Sequence, residues 1–226
     1  MILTIGSEKG GCGKSTLATN FAFLLSASGK KTLLVDADPQ KSSSDFVENR
    51  EALGLETKWA TVAMGGSSIR QQLLKLRDSF DIILIDCGGR DNVSQRSALT
   101  VSDVLLTPLA PKSFDLWSLE KFCAVISEVR SVNPSLKAFV ALNRVDPKGS
   151  DASDAINIIG ENAKEFICIK NTIGNRKAFS NAVALGLSVP ELRPQDIKAT
   201  AEIKALCNYI FNIKDVNDVK KSKVKK

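Results

Sequence analysis

Apolar residues along the 226-residue chain fall into two kinds of pattern. Short unbroken runs recur at 2–6 (ILTIG), 32–36 (TLLVD), 81–86 (DIILID), 104–109 (VLLTPL) and 137–142 (KAFVAL). Runs of this kind mark strands buried on both faces. Two further short strands are expected near 59–63 and 165–169. Between the runs the spacing turns helical. Residues 15–28 set Leu17, Phe21, Leu24 and Leu25 on one side, and 67–78 do the same with Ile69, Leu73, Leu74 and Leu76. Segments 115–131 and 195–211 follow suit, and Arg176-Lys177 open another helical stretch, NRKAFSNAVALG. Alternation of strand and helix predicts an α/β fold: one doubly wound, mostly parallel sheet with helices on both faces and its ligand sites at the carboxyl ends of strands. One domain is expected over 1–213, followed by a basic, disordered tail at 214–226.

Composition narrows the class without changing that picture. With 43% hydrophobic and 25% charged residues, the chain can bury the core of one globular domain. It contains no run of roughly 18 apolar residues to span a bilayer, and Met1 leads straight into the first strand-like run, so no signal peptide is expected. The five cysteines, at 12, 87, 123, 168 and 207, form no C-x-x-C pair, and histidine is absent. Zinc and paired-thiol chemistry lose their support, and a reducing cytoplasm is the natural setting. The net charge of +6 is uneven: KDVNDVKKSKVKK at the end holds six lysines and two aspartates, net +4, leaving +2 for residues 1–213. Such a tail reads first as solvated chain and second as a polyanion-binding element.

The chemistry concentrates in SEKGGCGKST, residues 7–16. It lies between the first strand and the first helix, where Gly10, Gly11 and Gly13 let backbone N–H groups turn onto phosphate oxygens. The helix start adds its unsatisfied amides and positive dipole end. Within the loop, Lys14 is the expected cation for the β and γ phosphates and Ser15 the hydroxyl ligand of Mg²⁺, with Cys12 and Thr16 completing the cradle. The usual pattern opens with a glycine, but Glu8 stands at that position and an extra lysine, Lys9, follows. On the residues alone, Lys9 points either to solvent or to the loop's own nucleotide. LLVDADPQ places Asp36 and Asp38 at the same sheet edge, and ILIDCGG places Asp86 there. A carboxylate closing an apolar strand holds Mg²⁺ directly or through water. Asp86 is assigned that role, with Asp36 in support. For Asp38, a turn before Pro39 and a water-orienting carboxylate are both open.

KGGCGKST, LLVDADPQ, DIILIDCGG and DVLLTPLAPKSFDL, in this order, resemble the ParA/MinD group of deviant Walker A ATPases, and within it the small partition ATPases without an N-terminal helix-turn-helix. The resemblance covers roughly residues 1–211. It implies a P-loop NTPase fold and slow, Mg-dependent ATP hydrolysis stimulated by a ParB-like centromere-binding or cargo-adaptor protein. It also implies a homodimer formed with ATP, in which Lys9 crosses to the partner's phosphates. That role has a physical rationale. Two MgATP groups, each left with about two negative charges, repel face to face unless cations lie between them. The second aspartate of DADP matches the family's hydrolysis-critical position, which tips Asp38 toward water activation. Gly88, Gly89 and Arg90 depart from the Thr-Pro-Pro more often seen there, which predicts a more flexible loop. ALNRVDP resembles the base-recognition stretch, making Asn143 and Arg144 candidates for adenine; NTIGN at 171–175 is a second wall, and either stretch reads equally as an Asn-rich turn.

Partition ATPases of this kind bind DNA without sequence preference, implying a cytoplasmic, nucleoid-associated protein. Arg176, Lys177, Arg193, Lys198 and Lys204, with the tail, are the candidate phosphate contacts; a solvated helix face is the plainer reading of any one of them. A MinD-like membrane role would need an amphipathic end, and the tail offers only Val216, Val219 and Val224 as apolar residues. An iron-protein role would need two cysteines per subunit for a shared cluster, and Cys87 has no evident partner. A ParA-like positioner of a protein assembly stays open beside DNA partition, since the two differ in partner rather than in ATPase.

Overall fold

The structure, a computed structural model, describes residues 1–89, 92–146 and 151–211. Fifteen elements alternate along it: β1 (Ile2–Ser7), α1 (Lys14–Ala27), β2 (Thr32–Ala37), α2 (Ser42–Ala52), β3 (Ala60–Ala63), α3 (Ile69–Leu76), β4 (Ile82–Gly89), α4 (Val93–Leu99), β5 (Val104–Leu109), α5 (Ser113–Arg130), β6 (Lys137–Leu142), α6 (Asp151–Asn162), β7 (Ile167–Ile169), α7 (Lys177–Ala184) and α8 (Ile197–Phe211). Short 3₁₀ turns occupy Arg77–Ser79 and Val189–Glu191.

The strands form one seven-stranded sheet in the order β3-β2-β4-β1-β5-β6-β7, and every pairing is parallel. The sheet is closed at its edges by four-residue β3 and three-residue β7. From β1 the chain winds outward to β2 and β3, returns to β4 beside β1, then continues the other way through β5, β6 and β7. The order therefore reverses around β1, and the crevice above its carboxyl end is where such folds take ligands.

Alternate residues of the central strands face opposite layers. Leu3, Ile5, Leu34, Leu84 and Leu106 pack with Leu17, Phe21 and Leu25 of α1, Phe46 of α2 and Leu206 of α8. On the other face, Leu33, Val35, Ile83 and Ile85 meet Ile69 and Leu73 of α3, while Leu105 and Val140 meet Phe122 and Ile126 of α5 and Ile159 of α6. Phe21 and Phe122 are wholly buried, each contributing on the order of 1.5–3 kcal/mol.

The fold class expected from the pattern is the one observed, and the sheet is more regular than expected, with no antiparallel pair among the described residues. Three helices lie where no helical spacing was legible. α2 buries only Ser43, Phe46, Val47 and Arg50, so a polar stretch hides its inner face. α4 has seven residues, too few for a period, and α6 buries only Ala155 and Ile159 fully, with Ala152 and Ile156 half-buried beside them. β4 runs three residues past Asp86, through Cys87, Gly88 and Gly89, so the two glycines of the expected flexible loop lie in the strand. Gly89 instead pairs with Ser7, across a register shift in β1. A Cβ there would lie 2.5 Å from the Gly10 nitrogen, so glycine is what lets the strand lie against the loop. Arg90 and the expected tail at 214–226 lie outside the described residues.

Candidate functional site

The loop between β1 and α1 sits at the sheet's carboxyl edge. Gly13 takes a left-handed conformation (φ 98°), and a Cβ on it would come within 2.3 Å of Asn143 Nδ2, so both backbone and space demand glycine. Lys14 is buried, and its ammonium donates to Ser7 Oγ at 3.2 Å and to the Lys9 carbonyl at 3.1 Å, lying inside the loop. A cavity of about 850 Å³ opens above it, lined by Gly13, Lys14, Ser15, Asp38, Gly88 and Arg144 among others. A second, of about 620 Å³, carries the same cleft past Thr16 to Asn143, Asn175, Lys177 and Phe179. Volumes of this order suit a nucleotide-sized ligand.

The three carboxylates arrive from adjacent strands. Asp36 of β2 is in register with Asp86 of β4, and both are buried. Asp36 Oδ2 accepts the Ser44 N–H at 2.7 Å and the Ser44 hydroxyl at 2.8 Å, while its Oδ1 accepts the Asp38 N–H at 3.1 Å. Asp86 Oδ2 accepts the Ser43 hydroxyl at 2.6 Å, and Asp86 Oδ1 has no hydrogen-bond partner. Burial pushes the Asp86 carboxyl up to about 6; the Ser43 and Ser15 hydroxyls and the Lys14 charge oppose this, and the neighbouring Asp36 adds to it. Asp38 is half-buried at the cavity wall, and its Oδ1 accepts the Gln40 N–H at 2.9 Å, the turn geometry read from Asp-Pro.

An unpartnered, buried carboxylate oxygen beside a serine hydroxyl is a hard-oxygen donor set suited to Mg²⁺. Among the described residues no group of three or more His, Cys, Asp or Glu side chains gathers to hold a metal. Mg²⁺ does not require one, because it binds through one or two carboxylates and the phosphates of its nucleotide.

Lys9 lies at the rim on the other side of the loop. Its ammonium is 2.5 Å from a carboxylate oxygen of Asp115 in α5, with the lysine side chain 45% exposed and the aspartate 7%. Neither sequence option for Lys9, solvent or its own nucleotide, describes this contact.

Asn143 follows β6 and is buried; its Nδ2 donates to the Cys12 carbonyl at 2.7 Å and its Oδ1 accepts the Arg144 N–H at 3.0 Å. One amide hydrogen is thus committed to bracing the loop, leaving the second for a base. Arg144, with φ 57°, lines both cavities. Gly174 and Asn175 of the second expected wall line the same cleft.

The basic group expected to meet DNA is dispersed in chemical state. Arg176 pairs through both Nε and a terminal nitrogen with Glu202 of α8, at 2.9 and 2.5 Å, so it is a neutralised strut rather than an open cation. Nothing in the sequence brings Glu202 to it. One guanidinium nitrogen of Arg193 donates to the carbonyls of Pro190, Glu191 and Leu192. Lys177 and Lys198 are exposed and Lys204 half-exposed. Cys87 is wholly buried in the layer beneath α3 and α4, and desolvation drives its thiol pKa far upward.

Sequence reasoning missed Ser43, Ser44 and Asp115. The serines stood in a polar run with no readable period, and Asp115 sits within the quoted APKSFDL without a marker of its own. It also missed Gln95 in α4, whose Oε1 accepts the Ser7 N–H at 3.2 Å from beneath the loop.

Residues 3–189 match the CbiA family, the CobQ/CobB/MinD/ParA nucleotide binding domain. The maintenance of carboxysome distribution protein A of Halothiobacillus neapolitanus is 28% identical over 92% of this chain and 95% of its own. Its namesake in Gloeobacter kilaueensis is 30% identical over 87% of each. The chromosome partitioning protein ParA of Caulobacter vibrioides is 30% identical over 60% of this chain and 66% of its own. Among solved structures, an ATP complex of Cyanothece McdA superposes with a TM-score of 0.78 at 18% identity, covering 95% of this chain and 97% of the other. The Pyrococcus furiosus cell division ATPase MinD gives 0.74 at 20%, covering 93% and 98%. The chain belongs to the CobQ/CobB/MinD/ParA nucleotide-binding family, and relatives matched over most of its length place it with the ParA-type members.

Proposed function

We propose that the protein is an ATP-timed switch: a Mg-dependent ATPase that dimerises with ATP, binds DNA without sequence preference and segregates DNA through a ParB-like partner. The observation that carries this reading is the phosphate-loop cleft lined by Lys14, Ser15 and Asp38, with Asp86 buried beside Ser15, Asp36 in register with it, and Lys9 held by Asp115 on the other side of the loop. Lys14 and the loop amides hold the phosphates, Ser15 and Asp86 hold Mg²⁺ with Asp36 in support, and Asp38 orients the attacking water. Bound there, the metal neutralises phosphate charge. Lys9 leaves Asp115 and reaches the partner's nucleotide, so association depends on the γ phosphate.

A second reading, positioning of a protein assembly over the nucleoid, is favoured by the carboxysome-distribution relatives, 28% and 30% identical over 92% and 87% of this chain. No helix among the described residues is long and apolar enough to cross a membrane.

Light scattering behind size exclusion tests the switch. The native protein is expected to dimerise with ATP and not with ADP, Lys9→Ala to remain monomeric, and Asp38→Ala to dimerise without turnover. Dimerisation of Lys9→Ala with normal hydrolysis would overturn the crossing lysine. Pull-down with the ATP-locked Asp38→Ala protein then separates the readings by whether a centromere-binding protein or an assembly component is captured.

A further inference from the structure

Both buried carboxylates of the site are held by one turn of α2. Ser43 and Ser44 are adjacent, yet they serve different strands: Ser43 donates to Asp86 on β4, and Ser44 donates through backbone and hydroxyl to Asp36 on β2. The Ser43 hydroxyl takes Oδ2 of Asp86. The other oxygen, Oδ1, is buried and unpartnered. A hydrogen bond to a carboxylate at 2.6 Å in a buried setting is strong enough to fix the rotation of the group. An oxygen left bare in such a setting is costly unless a cation meets it.

We propose that Ser43 is a positioning residue for Mg²⁺: by occupying Oδ2 of Asp86 it presents Oδ1 to the metal. This rests on Asp86 being the metal carboxylate. Ser43 does not touch the metal; it acts by removing the carboxylate's choice of oxygen and angle. Partners that orient a metal-binding group in this way change metal affinity by about 10- to 100-fold when removed. The geometry also explains why a polar residue is wholly buried at the start of a helix whose other inward residues are Phe46, Val47 and Arg50. Ser43 needs no solvent, because its hydroxyl already has a charged acceptor.

The test measures metal binding directly, with a fluorescent ADP analogue titrated in EDTA and at a series of Mg²⁺ concentrations, and with Mn²⁺ followed by electron paramagnetic resonance. Ser43→Ala is expected to bind nucleotide in EDTA as the native protein does, with a melting temperature lowered by the loss of one buried hydrogen bond. Its half-point for Mg²⁺ should rise, and its Mn²⁺ affinity fall, by about tenfold. Asp86→Asn serves as the reference. If Asp86→Asn loses the metal response while Ser43→Ala keeps it, the Ser43 proposal is overturned and Asp86 stands. If both keep it, the metal assignment fails and the proposal with it. A Ser43→Ala protein whose nucleotide binding weakens equally with and without metal reveals a purely structural serine and also overturns the proposal.

Discussion

At the scale of single residues, the site holds two charges in unusual company. Asp86 is a carboxyl whose pKa rises from 3.8 to about 6 because burial disfavours its charge. In the unfolded chain it ionises near 3.8, so the neutral form stabilises the fold fully below about pH 4 and loses that contribution as pH passes about 6. At about 1.4 kcal/mol for each tenfold change, the loss is roughly 3 kcal/mol. In EDTA, Asp86→Asn should therefore show a flatter dependence of melting temperature between pH 4 and 7 than the native protein; parallel curves would exclude Asp86 as the source. Lys9 keeps the opposite company, a nearly buried Asp115 in its own subunit. Before reaching a partner it has to leave that carboxylate. Asp115→Asn is expected to lower the protein concentration at which the ATP dimer forms by up to about thirtyfold, since each dimer releases two partly exposed ion pairs worth up to about 1 kcal/mol apiece. Sedimentation velocity reads this directly, and an unchanged or raised midpoint would mean that Asp115 does not restrain the lysine.

At the scale of elements, α2 matters most and was least visible. Its first turn holds Asp36 and Asp86, and its far end carries Arg50, which pairs doubly with Glu191 at 2.8 Å and donates to the carbonyls of Glu56 and Gly186. The same guanidinium lies 5.4 Å from the centre of the Trp59 ring. Removing it strands a carboxylate and two carbonyls in a protein interior, so Arg50→Ala should cost about 3–5 kcal/mol in urea denaturation. A loss below about 1 kcal/mol would show the network to be incidental. Residues 2–6, 32–36 and 104–109 were legible because unbroken β-branched runs have few other meanings. α2 was not, because an inward arginine and an inward serine look like surface until Glu191 and Asp86 are placed opposite them. For the same reason, Lys14, Ser15 and the three aspartates could be located from local motif and strand end, while Ser43 and Asp115 act across 43 and 106 positions of sequence.

At the scale of the whole molecule, the proposed DNA contact narrows to side chains left open to solvent. Arg176 belongs to Glu202, so Lys177 and Lys198 are the better test. Lys177→Glu with Lys198→Glu should reduce the slope of log affinity against log salt by about 0.9 for each phosphate that is no longer neutralised. Equal slopes would remove these helices from the interface. The sheet's two margins bear on assembly of any larger kind. β3 and β7 are four and three residues long, each an outermost strand with one neighbour. Margins this short give another chain little backbone to pair with. Copies of this molecule that line up on a scaffold must therefore meet through helix surfaces and side chains, and such arrays should dissolve with salt or nucleotide exchange instead of hardening into a continuous cross-strand fibre.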